Sequence, residues 1–254
     1  MTWTLITGAS GGIGRAFATE LAARGHDLVL TARREDELRA TAEMVGGHGV
    51  RTELIPADLS TPAGRAGLLG ELRARELTVS MLVNNAGFGS IGRFADLDAD
   101  RLADEVELDV QTVVQLSRAL LPPMLAAGRG SIVNIASTAA FQPLPTMAVY
   151  AAAKAFVLSF SQALWDEVRH QGVRVIAVCP GPTDTDFFVR AGDDDVLTGR
   201  RTPQQVALTC LEALDKGRPY VIDGLLNTVQ AEVAKRTPVR IAIPLARAVV
   251  HHRD

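Results

Sequence analysis

The chain has 254 residues, of which 47% are hydrophobic and 22% are charged, and its formal net charge is −3. This length and composition predict a soluble globular protein with room for one sizeable core. Nucleic acid is not expected as a partner, because binding to phosphate backbones normally shows as a basic surplus.

Cysteine usage and the N-terminal sequence bear on the compartment. Cys179 and Cys210 lie far apart and form no CxxC pair, so neither a disulfide framework nor a thiolate metal site is expected. The first residues lack the basic start and the longer apolar run of a secretory signal. No stretch reaches the roughly 18 uninterrupted apolar residues of a membrane span. These features predict a cytoplasmic protein without a transmembrane segment.

Short apolar runs alternate with segments of helical length over most of the chain. Seven of these runs are predicted strands: WTLI, LVL, TELIP, MLVN, SIVNI, VRVIAVC and YVI. Apolar periodicity predicts helices between them at 14–24, 35–45, 102–127 and 150–171. Strands separated by helices indicate βαβ crossovers, so we expect an α/β fold with a doubly wound, seven-stranded parallel sheet and helices on both faces. No repeat or composition break divides the chain, and one domain is predicted over 1–254.

A long irregular segment, 183–202, follows the sixth strand and is interpreted as a lid over a substrate site. It leads into a helix whose start is predicted by Thr202 as N-cap, Pro203 at the first helical position and Gln205 closing a capping box. Three consecutive carboxylates at 193–195 are interpreted as a solvated loop tip. No well-spaced ligand set accompanies them, so no metal site is predicted.

The C-terminal tail, 225–254, is mildly basic and amphipathic. It is too short and too interrupted to span a membrane. We expect it to pack on the domain or on a second subunit, with peripheral membrane association as the alternative.

A glycine-rich turn, TGASGGIG, joins the first strand to the first helix. Gly8, Gly12 and Gly14 allow a tight turn and close approach of backbone N–H groups to a ligand. The positive end of the following helix points to the same place, which favours a pyrophosphate. The spacing is GxxxGxG rather than GxGxxG, but an ordinary βα turn seldom needs three glycines. The turn therefore predicts a dinucleotide-binding Rossmann domain.

The residues after the second strand distinguish between NADP and NAD. An NAD site usually presents an acidic residue here, whereas this chain has Ala32 followed by Arg33 and Arg34. Arginine suits the 2′-phosphate of NADP through charge-assisted hydrogen bonds. We predict NADP, with Arg33 as its ligand because it comes first after the strand. The alternative is that both arginines are solvated charges beside Glu35 and Asp36.

Tyr150 lies four residues before Lys154 in the segment YAAAK, so one helix face would carry both side chains. Any helix gives this spacing, but a nearby cation also stabilises a tyrosinate and lowers the pKa of the phenol. The other motifs decide between these readings. They are TGASGGIG at 7–14, Asp58 in PADLS, NNAG at 84–87, Ser137 thirteen residues before Tyr150, and PGPTDT at 180–185.

Taken in this order, the motifs strongly resemble those of the short-chain dehydrogenase/reductase family over residues 3 to about 223. The resemblance implies that Tyr150 exchanges a proton with the substrate oxygen, that Lys154 lowers its pKa and holds the nicotinamide ribose, and that Ser137 orients the substrate. Together with the reading of the residues, it implies cofactor contacts at Gly8, Ser10, Gly12, Ile13, Gly14, Arg33, Asp58, Leu59, Asn85, Ala86, Gly87, Tyr150, Lys154, Pro180, Gly181, Thr183 and Thr185.

The function implied is that of an NADP-dependent oxidoreductase that interconverts a ketone or aldehyde and an alcohol. An NAD-preferring alcohol dehydrogenase is one alternative, and a catalytically quiet NADP-binding regulatory or scaffolding protein is another. The family is commonly oligomeric, which implies a homodimer or homotetramer joined through the helices at 102–127 and 150–171.

One position departs from the family pattern. The segment LDVQTVVQLSRALLP places Asp109 where the family commonly has a catalytic asparagine that helps hold a helix distortion and a proton relay. Asp109 could replace the asparagine without effect, because the relay uses the backbone carbonyl. An ionised Asp109 could instead stabilise Lys154 as a cation and weaken its effect on Tyr150. A degenerate site that binds NADP without turnover is the third interpretation.

Apolar residues that flank the catalytic motifs are candidates for the substrate-pocket wall. They are Phe88, Phe141, Leu144, Phe187 and Phe188. Such a wall suits a largely apolar carbonyl or alcohol substrate, although some of these side chains could belong to the core instead.

Overall fold

The computed structural model describes residues 2–192 and 200–250. Its sheet has seven parallel strands in the order β3-β2-β1-β4-β5-β6-β7. The strands are β1 (Trp3–Thr7), β2 (Asp27–Thr31), β3 (Thr52–Leu54), β4 (Val79–Asn84), β5 (Gly130–Ile135), β6 (Val173–Cys179) and β7 (Tyr220–Ile222). Each coincides with a predicted run, and the predicted Rossmann-type α/β fold is confirmed.

Ten α-helices connect or follow these strands in the described residues. They are α1 (Gly12–Ala23), α2 (Glu35–Gly46), α3 (Pro62–Ala74), α4 (Ala99–Val106), α5 (Thr112–Ala126), α6 (Ala148–Val168), α7 (Phe187–Ala191), α8 (Pro203–Asp215), α9 (Leu225–Arg236) and α10 (Val239–Val250). The single helix predicted at 102–127 is instead α4 and α5, joined by a π-helical turn, Glu107–Gln111. Helix α3 was not predicted from the sequence, because its glycines and arginines obscure its apolar face.

Hydrophobic clusters on both faces of the sheet hold the layers together. Neighbouring residues of β1 point to opposite faces, as the two-residue period of a strand requires. Leu5 belongs to the cluster that contains Leu68 of α3 and Leu116 of α5, whereas Ile6 belongs to the cluster that contains Phe17 of α1 and the apolar face of α8. Helices therefore cover both faces, as predicted.

The carboxyl ends of the strands position the candidate site. Chain order reverses between β1 and β4, so the loops after these strands diverge and leave a crevice. The loops after β5 and β6 lie next to it in the sheet. The glycine turn, the NNAG segment, Ser137 and the PGPTDT segment all follow these four strands.

The two segments interpreted as lid and tail both contain helices. In 183–202 the described residues include α7, while 193–199, with the carboxylates at 193–195, lie outside the described residues. The capping box of α8 is present: Gln205 N donates to Thr202 Oγ1 at 3.2 Å, and Thr202 N donates to Gln205 Oε1 at 3.0 Å.

The tail residues up to 250 form α9 and α10. Helix α9 contacts β7 and the short 3₁₀ turn Thr138–Phe141, so this part of the tail packs on the domain. No helix in the described part of the chain is long and apolar enough to cross a membrane.

Candidate active site

A cleft of about 890 Å³ opens at the carboxyl edge of the sheet. One end is bounded by the glycine turn and the residues after β2, and the other by Ser137, Tyr150 and the aromatic residues of α7. All predicted cofactor residues except Gly14 line it, as does Ser137, whereas Asp109 lies behind its wall.

The glycine turn has the backbone geometry that its sequence predicts. Gly8 and Gly12 have φ values of +64° and +50°, in the region that favours glycine. Gly14 faces the protein rather than the cleft, and a Cβ there would collide with the Gly8 carbonyl oxygen and lie 2.5 Å from Asn85 Nδ2. Asn85 donates to the carbonyl oxygens of Thr7 and Gly8 at 2.9 and 3.1 Å. Gly14 and Asn85 thus shape the turn.

This turn fits the pyrophosphate of a dinucleotide. The N-cap of α1 is Gly11, which has no side chain to accept hydrogen bonds from the first helical turn. Gly11, Gly12 and Ile13 all line the cleft, so the N-terminus of α1 faces it. Backbone donors and the helix dipole there favour an anion.

The two arginines after β2 have different surroundings. Arg34 forms an ion pair with Glu37, at 2.7 Å between Nη2 and Oε2. Arg33 is exposed, lines the cleft and makes no ion pair with any residue of 2–192 or 200–250. Of these two, Arg33 is therefore the arginine whose charge is available to a group bound in the cleft.

Tyr150 lies in the first turn of α6 on the cleft wall, and Lys154 follows it on the same helix face. Lys154 Nζ lies 5.5 Å from the centroid of the Tyr150 ring. The ring also packs against Phe187 of α7, with 5.2 Å between centroids. Ser137, two residues after β5, accepts a hydrogen bond from Ala139 N at 3.1 Å and contributes a hydroxyl beside Tyr150. The structure thus brings the predicted triad together.

Asp109 forms a buried ion pair with Lys154. Its Oδ2 lies 2.8 Å from Lys154 Nζ, and the two side chains are 0% and 8% exposed. Asp109 Oδ1 accepts a hydrogen bond from Phe88 N at 3.1 Å, and Lys154 Nζ donates to the Ile135 carbonyl oxygen at 3.3 Å. This contact is the one required if an ionised Asp109 stabilises Lys154 as a cation and weakens its effect on Tyr150.

The ion pair changes the acid–base balance of the site. Burial opposes the charge on Lys154, yet Asp109 raises the pKa of its ammonium above the ordinary value. Burial also raises the pKa of Tyr150, and Asp109 and Glu105 raise it further, whereas Lys154 and Ser137 lower it. The balance leaves the pKa of Tyr150 above that of a free phenol, chiefly because the phenol is buried, and the charges of Asp109 and Glu105 add to this effect.

The π-helical turn that carries Asp109 is held by a buried arginine. Arg65 of α3 is 2% exposed and pairs with Glu107, at 2.6 Å between Nη2 and Oε2. It also donates to the Leu59 carbonyl oxygen at 2.9 Å, and Leu59 O accepts from Thr112 Oγ1 at 2.7 Å. Arg65 thereby ties the turn to the loop after β3.

Glu105, which the sequence did not single out, is a fully buried carboxyl whose charge raises the pKa of Tyr150. It precedes Asp109 by four residues, so both fall on one helix face. The i,i+4 pair of carboxylates could have been noticed, but nothing in the sequence indicated that this face is buried.

Four of the five predicted wall residues line the cleft: Phe88, Leu144, Phe187 and Phe188. The prediction for Phe141 is wrong. Its ring packs against Tyr220 at 6.4 Å between centroids and lies under the Lys235 ammonium at 4.5 Å, on the side of β7 and α9. The 3₁₀ turn Thr138–Phe141 directs it there, which the sequence did not indicate.

Neither cysteine is placed for redox or metal chemistry. Cys179 and Cys210 are buried free thiols, and burial raises the pKa of Cys179 to about 12. Within the described residues no group of three His, Cys, Asp or Glu side chains could hold a metal ion.

Comparison with known proteins identifies the family of this chain. The family model described as short chain dehydrogenase matches residues 2–195. A short-chain dehydrogenase from Sphingobium yanoikuyae, solved in complex with NADPH, is 34% identical with a TM-score of 0.84, covering 94% of this chain and 97% of that one.

Two further proteins show the range of relatives. The bulky-bulky ketone specific alcohol dehydrogenase from Comamonas testosteroni is 30% identical with a TM-score of 0.79, over 94% of this chain and 95% of that one. The very-long-chain 3-oxoacyl-CoA reductase of Anas platyrhynchos is 37% identical over 188 residues, which are 70% of this chain but only 58% of that protein. With its fold, its cofactor turn and its Ser137–Tyr150–Lys154 arrangement, the chain belongs to the short-chain dehydrogenase/reductase family of oxidoreductases.

Proposed function

We propose that the protein interconverts a ketone or aldehyde and an alcohol, with NADP as the hydride carrier and Tyr150 as the acid or base. The observation that carries the proposal is that Tyr150, Lys154 and Ser137 meet at one end of a cleft whose other end is the glycine turn and Arg33. NADP, when bound, supplies or accepts the hydride.

The residues of this chain then have separate tasks. In reduction, Tyr150 donates its phenolic proton to the substrate oxygen, and in oxidation it accepts the hydroxyl proton. Lys154 stabilises the resulting tyrosinate, and Ser137 positions the substrate oxygen beside the phenol. Asp109 keeps Lys154 charged but reduces the field that Lys154 exerts on Tyr150. The phenol of Tyr150 is therefore a weaker acid than it would be beside an unpaired lysine.

Arg33 supports the choice of NADP over NAD. It lines the cleft and, unlike Arg34, makes no ion pair with a described residue, and no acidic side chain directly follows β2. A planar guanidinium binds a phosphate through paired charge-assisted hydrogen bonds. The complex of the Sphingobium relative with NADPH supports the same choice.

The wall beside Tyr150 supports a bulky, largely apolar substrate. Phe88, Leu144, Phe187 and Phe188 surround this end of the cleft. The ring of Phe187 lies 5.2 Å from that of Tyr150 and so contacts the place where a carbonyl would meet the phenol. The related Comamonas enzyme, specific for bulky-bulky ketones, is in keeping with such a substrate.

A cofactor and substrate experiment tests the proposal. NADPH and NADH dissociation constants are measured for wild type, Arg33→Ala and the matched control Arg34→Ala. We expect Arg33→Ala to weaken NADPH binding about 10- to 100-fold while NADH binding and the control stay near wild type. Unchanged NADPH binding in Arg33→Ala would refute the 2′-phosphate assignment.

Activity is tested separately with a panel of aryl and bulky aliphatic ketones. Wild type should reduce members of the panel, and Tyr150→Phe should lose the reaction while it still binds NADPH. Activity that survives in Tyr150→Phe would refute its role as the acid.

The second candidate function is cofactor binding without turnover, in a regulatory or scaffolding role. The observation that favours it is the Asp109–Lys154 ion pair, because the charge of Asp109 raises the pKa of Tyr150 and makes its phenol a weaker acid. Single-turnover reduction with excess enzyme distinguishes the two, because a quiet protein would bind NADPH tightly and transfer no hydride to any ketone of the panel.

We also propose a homo-oligomer joined through α5 and α6. Helix α6 exposes Phe156, whose ring stacks on that of Phe160 at 5.8 Å between centroids, and such an aromatic pair suits an interface core. Light scattering of wild type and Phe156→Glu tests this, and a wild-type monomer would refute it.

A further inference from the structure

Helix α4 buries a single side chain, and that side chain is a carboxylate. Glu105 is 0% exposed, and no other residue of α4 is buried. Within the described residues neither of its carboxyl oxygens has a hydrogen-bond partner of good geometry. A helix normally turns apolar residues inward, and an unpartnered buried charge is strongly unfavourable. This position therefore suggests a function beyond packing.

The groups around Glu105 come from four elements. On α4 itself lies Arg101, and its Nε donates to Ser90 Oγ at 3.1 Å in the loop after β4. The π-helical turn presents Asp109, one helical turn further on the same face. Helix α6, which packs against α4, presents Lys154 and Tyr150. Glu105 thus belongs to the group of charges behind Tyr150.

Charge balance within this group decides which carboxyl keeps its proton. The ammonium of Lys154 already pairs with Asp109 at 2.8 Å. A second negative charge close to that pair would be largely uncompensated. Burial, with the charge of Asp109 in addition, accordingly raises the pKa of Glu105 to about 7, although Ser90 and Arg101 act in the opposite direction.

We propose that Glu105 is a positioning residue, a buried carboxylic acid whose loss of a proton changes the field of the Asp109–Lys154 pair and so sets the pH range in which Tyr150 exchanges its own proton. The inference rests on the proposed role of Tyr150. It adds a residue that touches neither cofactor nor substrate, because Glu105 does not line the cleft.

The direction of the effect follows from the charges. Below about pH 7 Glu105 is neutral, and Lys154 is offset by one carboxylate only. Above that pH the ionised Glu105 adds a negative charge that raises the pKa of Tyr150. Substitution with glutamine or leucine fixes the neutral state at every pH, so the pKa of Tyr150 should fall.

Two spectroscopic titrations of the intact protein test the proposal without turnover. The first follows tyrosinate absorbance against pH in Glu105→Gln and Glu105→Leu, each compared with its own Tyr150→Phe double variant. We expect both substitutions to lower the Tyr150 midpoint by roughly 0.5–1 pH unit. Glu167→Gln, which removes an exposed carboxylate near the end of α6, is the matched control and should leave it unchanged.

The second titration follows the infrared carbonyl band of protonated carboxylic acids. Wild type minus Glu105→Gln should show a band that persists at pH 6 and disappears with a midpoint near pH 7. Loss of that band below pH 5, or an unchanged Tyr150 midpoint in either folded Glu105 variant, would overturn the proposal. Because neither readout needs a substrate, absence of ketone reduction would count against the proposed function alone.

Discussion

Asp109→Asn is the substitution that most directly separates the interpretations of the ion pair. It restores the residue that the family commonly has at this position and removes the carboxylate that pairs with Lys154. If the charge of Asp109 weakens the effect of Lys154 on Tyr150, the variant should have a lower Tyr150 pKa than wild type. If only the backbone of residue 109 matters, the pKa should not change.

The size of the shift can be worked out from two distances. Lys154 Nζ lies 5.5 Å from the Tyr150 ring centroid and 2.8 Å from Asp109 Oδ2, so Oδ2 is no more than about 8 Å from the ring. With an effective dielectric constant of about 20, a negative charge at about 8 Å opposes ionisation of the phenol by about 2 kcal/mol. This corresponds to about 1.5 pKa units.

Tyrosinate absorbance measured against pH gives this pKa directly. The chain has two tyrosines, so the difference between each protein and its Tyr150→Phe counterpart leaves Tyr150 alone. The titration is repeated with NADP bound, and in the oxidation direction the rising limb of the rate against pH should move to lower pH by the same amount. Circular dichroism at each pH confirms that the variants remain folded.

A Tyr150 pKa that is unchanged or higher in Asp109→Asn would refute this electrostatic reasoning. The exposed carboxylate Glu167 provides the control, because Glu167→Gln removes the same charge from the far end of α6 and should leave the titration unchanged. A shift of equal size in this control would show that net charge, rather than the ion pair, is responsible.

Two further predictions concern the supports of the site. Gly14→Ala should destabilise the protein by about 2–4 kcal/mol in urea denaturation, because its Cβ would collide with the Gly8 carbonyl oxygen, whereas Gly11→Ala meets no atom within 4 Å and should change stability by less than about 1 kcal/mol. Arg65→Met should lower the free energy of unfolding by about 2 kcal/mol, because it removes the buried guanidinium and with it the charged hydrogen bond to Glu107.

Each prediction is contradicted if the variant and its control lose the same stability. Equal unfolding free energies for the two glycine variants would mean that the turn can accommodate a Cβ at residue 14 without loss of stability. For Arg65→Met, a loss no larger than that of the exposed Arg73→Met would mean that the anchor of the π-helical turn contributes little.

The sequence by itself determined the seven strands of the sheet, the glycine turn and the choice of Ser137, Tyr150 and Lys154 as candidate site residues. These features are encoded locally: short apolar runs separated by helical segments predict parallel strands, Gly8 and Gly12 allow a turn with positive φ, and the i,i+4 spacing places Tyr150 and Lys154 on one helix face. Even the capping box at Thr202 could be read from neighbouring residues.

Only the tertiary structure decided which charges are buried together. Asp109 and Lys154 are 45 positions apart, and three interpretations of Asp109 stayed open until the packing of the π-helical turn on α6 showed their contact. Glu105 and Arg65 look like ordinary surface charges in the sequence, and Phe141 looks like a pocket residue. The physical reason is that a side chain's pKa and partners depend on what other elements bring to it, and hydrophobic periodicity carries no record of those long-range contacts.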